Sequence, residues 1–275
     1  MKQAVKKIWQ FLESPDAPYV QQGIFMIETF AQVDPTIWDY FAKGCFVDEK
    51  GWICTPKNFR VHKDFRQEVA LLLLKESGQL SNVTKLDLHG CTWLTDVDVL
   101  RGLTQLRELD LSSCESLTNV DGLRGCTQLQ WLDLDNCKSL NNVDGLRGCT
   151  QLRGLYLARC TSLTSVDVLR GCTQLKNLSL GGSTGLTNID GLRGCTQLQM
   201  LYLWDCKSLT NVDALRGCTQ LRGLCLYNCI SLTNVDGLRG CTQLQELDLT
   251  GCTSLTGIDT LKKSLPYCRV LGYGM

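Results

Sequence analysis

"LRGCTQLQWLDLDNCKSLNNVDG", residues 123–145, returns from residue 146 as "LRGCTQLRGLYLARCTSLTSVDV", and this 23-residue period runs nearly to the end of the 275-residue chain. Counted from Val83, eight copies begin at Val83, Leu106, Leu129, Leu152, Leu175, Leu198, Leu221 and Leu244. Six positions in each are apolar almost without exception; in the third copy they are Leu129, Leu132, Leu134, Leu140, Val143 and Leu146. The spacing in "LQWLDLDNC" fits a short strand with Leu132 and Leu134 turned inward. Val143, Leu146 and Cys149 recur at intervals of three, which suits a turn of 3₁₀ or loose helix. One copy is therefore one coil of an α/β solenoid, burying its leucines against the coils on either side.

Seventeen cysteines suggest a disulfide scaffold, but thirteen of them belong to the repeat. One series is Cys91, Cys114, Cys137, Cys160, Cys206, Cys229 and Cys252, with Ser183 in the gap; the other is Cys126, Cys149, Cys172, Cys195, Cys218 and Cys241, flanked by Leu103 and Ser264. Disulfide pairs do not exchange one member for Ser or Leu without stranding the other. A small buried residue does.

The pattern LxxLxLxxC in "LRELDLSSC", "LQWLDLDNC" and "LQELDLTGC" resembles the leucine-rich repeats, over about residues 83 to 261. The "LTNVDGL" arm is similar to the bacterial internalin-type repeat, with one extra residue and Cys where that family usually has Asn. The resemblance implies a leucine-rich-repeat arc with a concave parallel β-sheet, one strand per copy, and short 3₁₀ or irregular turns on the convex side. The cysteine that follows each strand then points a weak S–H donor at a backbone carbonyl where the loop leaves the sheet, as the family's Asn does.

Asp98, Asp121, Asp144, Asp167, Asp190, Asp213, Asp236 and Asp259 recur, each followed three residues later by Arg or, finally, Lys262. They suit N-caps of the convex turns, and a parallel Asp stripe cancels the pull of the Arg stripe on phosphate. Gln105, Gln128, Gln151, Gln174, Gln197, Gln220 and Gln243 are expected to form a further hydrogen-bonded ladder.

The residues flanking the inward strand leucines face the other way, and they are among the positions that vary most between copies. Large side chains gather there: Trp131, Tyr156, Met200, Tyr202, Trp204 and Tyr227. Drift at permissive sites would favour small polar residues, whereas exposed aromatics gain most from burial against a partner. Glu108, Asp110, Asp133 and Asp135 cluster on the early strands, with Glu246 and Asp248 at the far end. Such a surface repels phosphate and favours a protein or peptide whose own surface is basic and apolar. Self-association through the same aromatics is a second possibility.

Residues 1–80 hold no repeat and read as an all-helical N-terminal cap with a small hairpin: helices over 3–13, 19–31, 36–42 and 63–76, and the hairpin in "CFVDEKGWIC". The stretch "SPDAPYVQQGIFMIETF" is similar to helical leaders of bacterial repeat proteins. The repeats occupy 81–264, and 265–275 are expected to close the far end, Tyr267, Val270 and Leu271 covering the last coil.

Lys plus Arg equals Asp plus Glu at 28 each, so no overall field draws the chain to nucleic acid or an anionic membrane. The opening "MKQAVKKIWQFLESPDAPYV" has neither a long apolar run nor a small-residue cleavage site, and no segment reaches a membrane-spanning length. A cytoplasmic, reducing location is the expectation. His62 and His89 have no companions at triad or metal-ligand spacing, Cys225 lacks a base, and Cys45, Cys54 and His62 offer at most three zinc ligands. No Walker loop, GxSxG, HExxH or GxGxxG occurs. The expected function is a non-catalytic protein-interaction module without cofactor or metal. The alternatives are an adaptor or host-directed effector whose N-terminal helices engage a second partner, and an enzyme with its active site in residues 1–80.

Overall fold

The computed structural model describes residues 2–62 and 65–272. It divides into two compact units, Met1–Asp87 and Leu88–Met275.

The first unit is built from α1 (Lys2–Leu12), α2 (Ala17–Ala31), α3 (Ile37–Ala42) and α4 (Arg66–Glu76). Ile8 and Leu12 of α1 and Val20, Ile24 and Ile27 of α2 are buried. Gly23 lets these two helices approach, since a Cβ there would stand 3.1 Å from Phe11 Cβ and Leu12 Cδ2. In α4 the apolar run leaves no solvated side, and Val69, Ala70, Leu71, Leu73 and Leu74 are all buried. This helix begins at Arg66; Lys63 and Asp64, where it was expected to start, lie outside the described residues.

The expected hairpin pairs β1 (Phe46–Val47) with β2 (Ile53–Cys54) in antiparallel register. Asp48 Oδ1 closes its turn by accepting the N–H groups of Lys50 and Trp52, both at 2.9 Å. The hairpin then lies along β3 (Lys85–Asp87): the Asp87 N–H donates to Gly51 O at 2.8 Å and the Trp52 indole to Asp87 Oδ2 at 2.6 Å. Gly51 sits at φ +92°, where a Cβ would come within 2.9 Å of Lys85, so both backbone and space require glycine.

The second unit is one parallel sheet with its coils packed behind it. In order it runs β4 (Glu108–Asp110), β5 (Trp131–Asp133), β6 (Gly154–Tyr156), β7 (Asn177–Ser179), β8 (Met200–Tyr202), β9 (Gly223–Cys225), β10 (Glu246–Asp248) and β11 (Arg269–Leu271). The strand centres are in register from Leu109 through Leu132, Leu155, Leu178, Leu201, Leu224 and Leu247 to Val270. All of these leucines are buried, as are Leu129, Leu134, Leu140, Val143 and Leu146 behind them.

Strand β11 corrects the expected C-terminal closure. An unpaired β10 would leave its edge amides and carbonyls without partners, and the last segment supplies them: Leu249 N–H donates to Leu271 O at 3.0 Å and Arg269 N–H to Gln245 O at 2.8 Å. Tyr267 covers nothing; it is 96% exposed, while Val270 and Leu271 are half-buried in the added strand. Residues 273–275 lie outside the described residues.

The convex turns are 3₁₀, beginning at Asp98, Asp121, Asp144, Asp167, Asp190, Asp213 and Asp236; the coil after β10 instead carries α5 (Ile258–Ser264). The expected capping role of these aspartates does not hold. The acceptor for each turn's first N–H lies two residues earlier, as in Asp121 N–H to Asn119 Oδ1 (3.0 Å), Asp167 N–H to Ser165 Oγ (3.1 Å) and Asp213 N–H to Asn211 Oδ1 (3.1 Å). The aspartate carboxylates instead pair with arginine three residues on, at 2.6 Å in Arg101–Asp98 and 2.8 Å in Arg124–Asp121, Arg193–Asp190 and Arg239–Asp236. The Arg stripe is thus neutralised in place. The expected glutamine ladder is also absent among the described residues: those side chains stand exposed.

The cysteine series following the strands does what its position suggests. Cys114, Cys137 and Cys160 donate to the carbonyls of Leu88, Leu111 and Leu134 at 3.2 Å each, and Cys206 to that of Leu180 at 3.3 Å. Ser183, in the gap, makes the same bond to Leu157 O at 3.3 Å. In the second series Cys149, Cys172 and Cys218 each reach a cysteine carbonyl one copy back, at 3.5 to 3.7 Å. All seventeen thiols are free.

Candidate functional site on the sheet face

Because side chains alternate along a strand, the leucines facing the core leave two or three positions per copy on the opposite side of the sheet. The register places Asp110, Asp133, Tyr156, Ser179, Tyr202, Cys225 and Asp248 in one row across the strands. A second row holds Glu108, Trp131, Gly154, Asn177, Met200, Gly223 and Glu246. All ten residues singled out from sequence therefore belong to this face, with Asp135, Trp204 and Tyr227 just past the strand ends.

Three of the large side chains are seated over glycines of the neighbouring copy. A Cβ on Gly154 would fall 2.2 Å from Cε3 of Trp131, its register partner on β5. One on Gly223 would meet Met200 Cε at 2.5 Å, and one on Gly181 would meet Trp204 Cε2 at 2.2 Å. Trp131 also stacks on Tyr156, with ring centroids 6.1 Å apart and planes at 14°. Trp204 is covered on one face by the Arg159 guanidinium, 5.6 Å from the ring. Arg159 holds this place at φ +60°, in a turn position filled elsewhere by Gly, Ser, Asn or Asp. Trp131, Tyr202 and Tyr227 remain 37, 39 and 46% exposed.

At the early end the carboxylates are partly occupied by backbone. Asp110 Oδ1 accepts Ser112 N–H at 2.8 Å, Asp133 Oδ1 accepts Asp135 N–H at 2.9 Å, and Asp135 Oδ1 accepts Ala158 N–H at 2.6 Å. Burial is the main cause that pushes Asp133 up to about 6, with the charges of Asp135 and Asp110 adding to it. Asp135 is also raised by burial, although Arg159 pulls it back. Glu108 is exposed at the rim.

Sequence reasoning missed the glycine seats, Arg159 and a chain from His89 Nδ1 to Ser112 Oγ (2.8 Å) to Asp110. That last group holds triad residue types in the wrong order. The hydroxyl donates to the carboxylate and receives from the imidazole, so the histidine cannot draw a proton from it. The glycines had a visible signal, since glycine within a strand marks close approach of another group. Cys225 is half-buried and burial raises its thiol, which disfavours the thiolate a nucleophile needs. Among the described residues no cluster of three His, Cys, Asp or Glu side chains could hold a metal, and no helix is long and apolar enough to cross a membrane.

The leucine-rich repeat family, in its two-copy form, matches residues 81–125, 173–217 and 219–263. The chain carries leucine-rich repeats and has an internalin-like fold. Among solved structures the chain is similar to internalin C2 (inlC2) from Listeria monocytogenes, at 20% identity and TM-score 0.55 over 70% of this chain and 83% of that one. An internalin (inlF) from the same organism matches at 19% identity and TM-score 0.51, over 74% of this chain and 70% of that one. The leucine-rich repeat domain of the type III effector XopL matches at 18% identity and TM-score 0.51, over 89% and 92%. No curated protein matches the sequence.

The likeness overturns the expected cytoplasmic location, because internalins are surface or secreted bacterial proteins. The expectation had rested on the absence of a signal-like apolar run and on cysteines placed as buried residues and not as disulfide pairs. Here burial, with neighbouring thiols adding to it, raises Cys149 and Cys195 to about 12, so these thiols are protected by the fold whatever surrounds it.

Proposed function

We propose that this leucine-rich-repeat protein binds a protein or peptide partner on the outer face of its sheet, through an aromatic platform set between carboxylates. The observation that carries the reading is the pairing of three of the six large side chains with a glycine: Trp131 with Gly154, Met200 with Gly223 and Trp204 with Gly181. Independent drift at exposed sites would vary the two members separately. Their match lays broad apolar surfaces flat and keeps rotamers fixed before binding, which lowers the entropic cost of association. Asp110, Asp133 and Asp135 beside that platform favour a partner with Lys or Arg around an apolar anchor, and Arg159 over Trp204 shows the geometry a partner's guanidinium would take on Trp131.

The test is a pull-down from bacterial and host-cell lysates with the native chain and Trp131→Ala/Tyr202→Ala/Trp204→Ala, after circular dichroism shows both folded. A protein captured by the native chain should be lost with the triple variant and weakened by Asp110→Asn/Asp135→Asn. Equal capture by all three chains would sink the reading.

A further inference from the structure

The first unit carries a groove that neither its packing nor the sheet-face reading uses. It starts between α1 and α3 at a recess of about 80 Å³ enclosed by Val5, Phe30, Val33 and Ile37. It continues past Trp9 and Tyr40 as an open trough of about 660 Å³ and ends over Pro56 and Phe59. Its apolar lining is not covered: Val33 is 88% and Tyr40 54% exposed.

The charge along it is one-sided. Lys6, Lys43 and Arg60 line the trough, against the single carboxylate of Asp34. Asp34 is engaged locally, its Oδ1 accepting the Thr36 N–H at 3.1 Å and hydroxyl at 2.6 Å. Arg60 is already paired with Glu13 at 2.6 Å and lies 5.7 Å from the Trp9 ring, so the positive charge the groove offers a ligand comes from Lys6 and Lys43. Helix α1, "KQAVKKIWQFL", contains no acidic residue.

We infer that this groove docks an acidic peptide segment of a second partner protein, with an aliphatic or aromatic side chain in the recess at Val33 and carboxylates over Lys6 and Lys43. An apolar anchor beside acidic groups is the complement of an apolar pocket beside cations. An anionic membrane would meet the same cations, but the concave trough of about 660 Å³ suits an inserted peptide segment better than a flat lipid surface. The sheet face selects for basic partners and the groove for acidic ones, so the chain presents two surfaces of opposite preference.

The experiment selects random-sequence displayed peptides on the full chain and counter-selects on Val33→Asp/Lys43→Glu, two exposed positions, once circular dichroism shows the variant folded. Recovered peptides should carry paired Asp or Glu beside Leu, Ile, Phe or Trp. A synthetic copy should bind the native chain about tenfold more tightly than the double variant and weaken as salt rises from about 50 to about 300 mM. It should bind Trp131→Ala/Tyr202→Ala/Trp204→Ala as it binds the native chain, which keeps this groove and the sheet face separable. Failure to enrich any peptide over the counter-selected pool, peptides without acidic residues, or equal binding to the double variant would each overturn the inference. So would retention of the native chain by phosphatidylserine vesicles that a recovered peptide cannot displace.

Discussion

Gly154 lacks a side chain because the Trp131 ring lies where its Cβ would be, 2.2 Å from Cε3. Substituting Gly154→Ala is therefore expected to lift Trp131 off the sheet, since an exposed side chain yields more readily than backbone. Stability should change by about 1 kcal/mol or less, while the Trp131 emission shifts and partner affinity falls about tenfold. Unchanged fluorescence with unchanged binding would show that the seat is not used. Asp133 gives a second residue-scale prediction. Its carboxyl is raised to about 6, above the ordinary 3.8, so the folded chain holds this proton more tightly than the unfolded one. The ionised form thus costs stability as pH rises from about 4 through about 6, and the cost is fully present above that. Asp133→Asn, which keeps the acceptor for Asp135 N–H, should raise the melting temperature at pH 7.5 and change it little at pH 4. The opposite order would contradict the assignment. At this scale sequence showed which positions vary but not why Gly154, Gly181 and Gly223 are among them, because a glycine's reason lies in a ring that arrives from another strand.

At the scale of one coil, two small polar groups hold the turns, and only one was correctly placed from sequence. The thiol that follows each strand was legible because Ser183 stands in its series: a residue exchangeable with Ser behaves as a donor, and Ser183 and Cys137 both reach a leucine carbonyl. Cys137→Ser should thus cost less than about 1 kcal/mol and Cys137→Ala about 1 to 2, measured by chemical denaturation. The reverse ranking would mean that packing, and not the hydrogen bond, sets the preference. The cap of the convex turn was misplaced because Asp recurs in every copy, whereas its true acceptor alternates among Asp96, Asn119, Ser165 and Asn211, residue types that share a short side-chain oxygen. Asn119→Ala should cost about 1 kcal/mol and Asp121→Ala about 0.5 or less, the latter losing only an exposed ion pair. If Asp121→Ala proves the more costly, the aspartate is the cap after all. Strand β11 was missed for a related reason: "CRVLG" lacks the leucine spacing, and pairing to the β10 edge depends on backbone groups that no side-chain pattern records.

Over the whole molecule the repeat made the leucine-rich coils plain, since eight copies repeat the same buried positions, but the location read from the opening stretch and the cysteines was wrong. Their chemistry belongs to the fold. Only Cys54, Cys225, Cys252 and Cys268 are partly exposed, so a thiol reagent should modify these quickly in the native chain and reach the other thirteen only as denaturant unfolds it. Rapid modification of all seventeen without denaturant would show that the coils are not packed as described. The side chains of the proposed partner surface could be picked out because copies of one frame can be compared with each other inside the chain. Its flat arrangement and the Arg159 cover over Trp204 depend on contacts between strands that are not written in any single copy. The most direct measurement of the central claim places a photo-crosslinking amino acid at Tyr202 on the sheet face and, separately, at Arg170 on a convex turn, and irradiates each chain in the lysate that yields a captured partner. A covalent adduct with that partner from position 202 and none from position 170 is the predicted result. Adducts from 170 alone would place binding on the convex side and contradict the account.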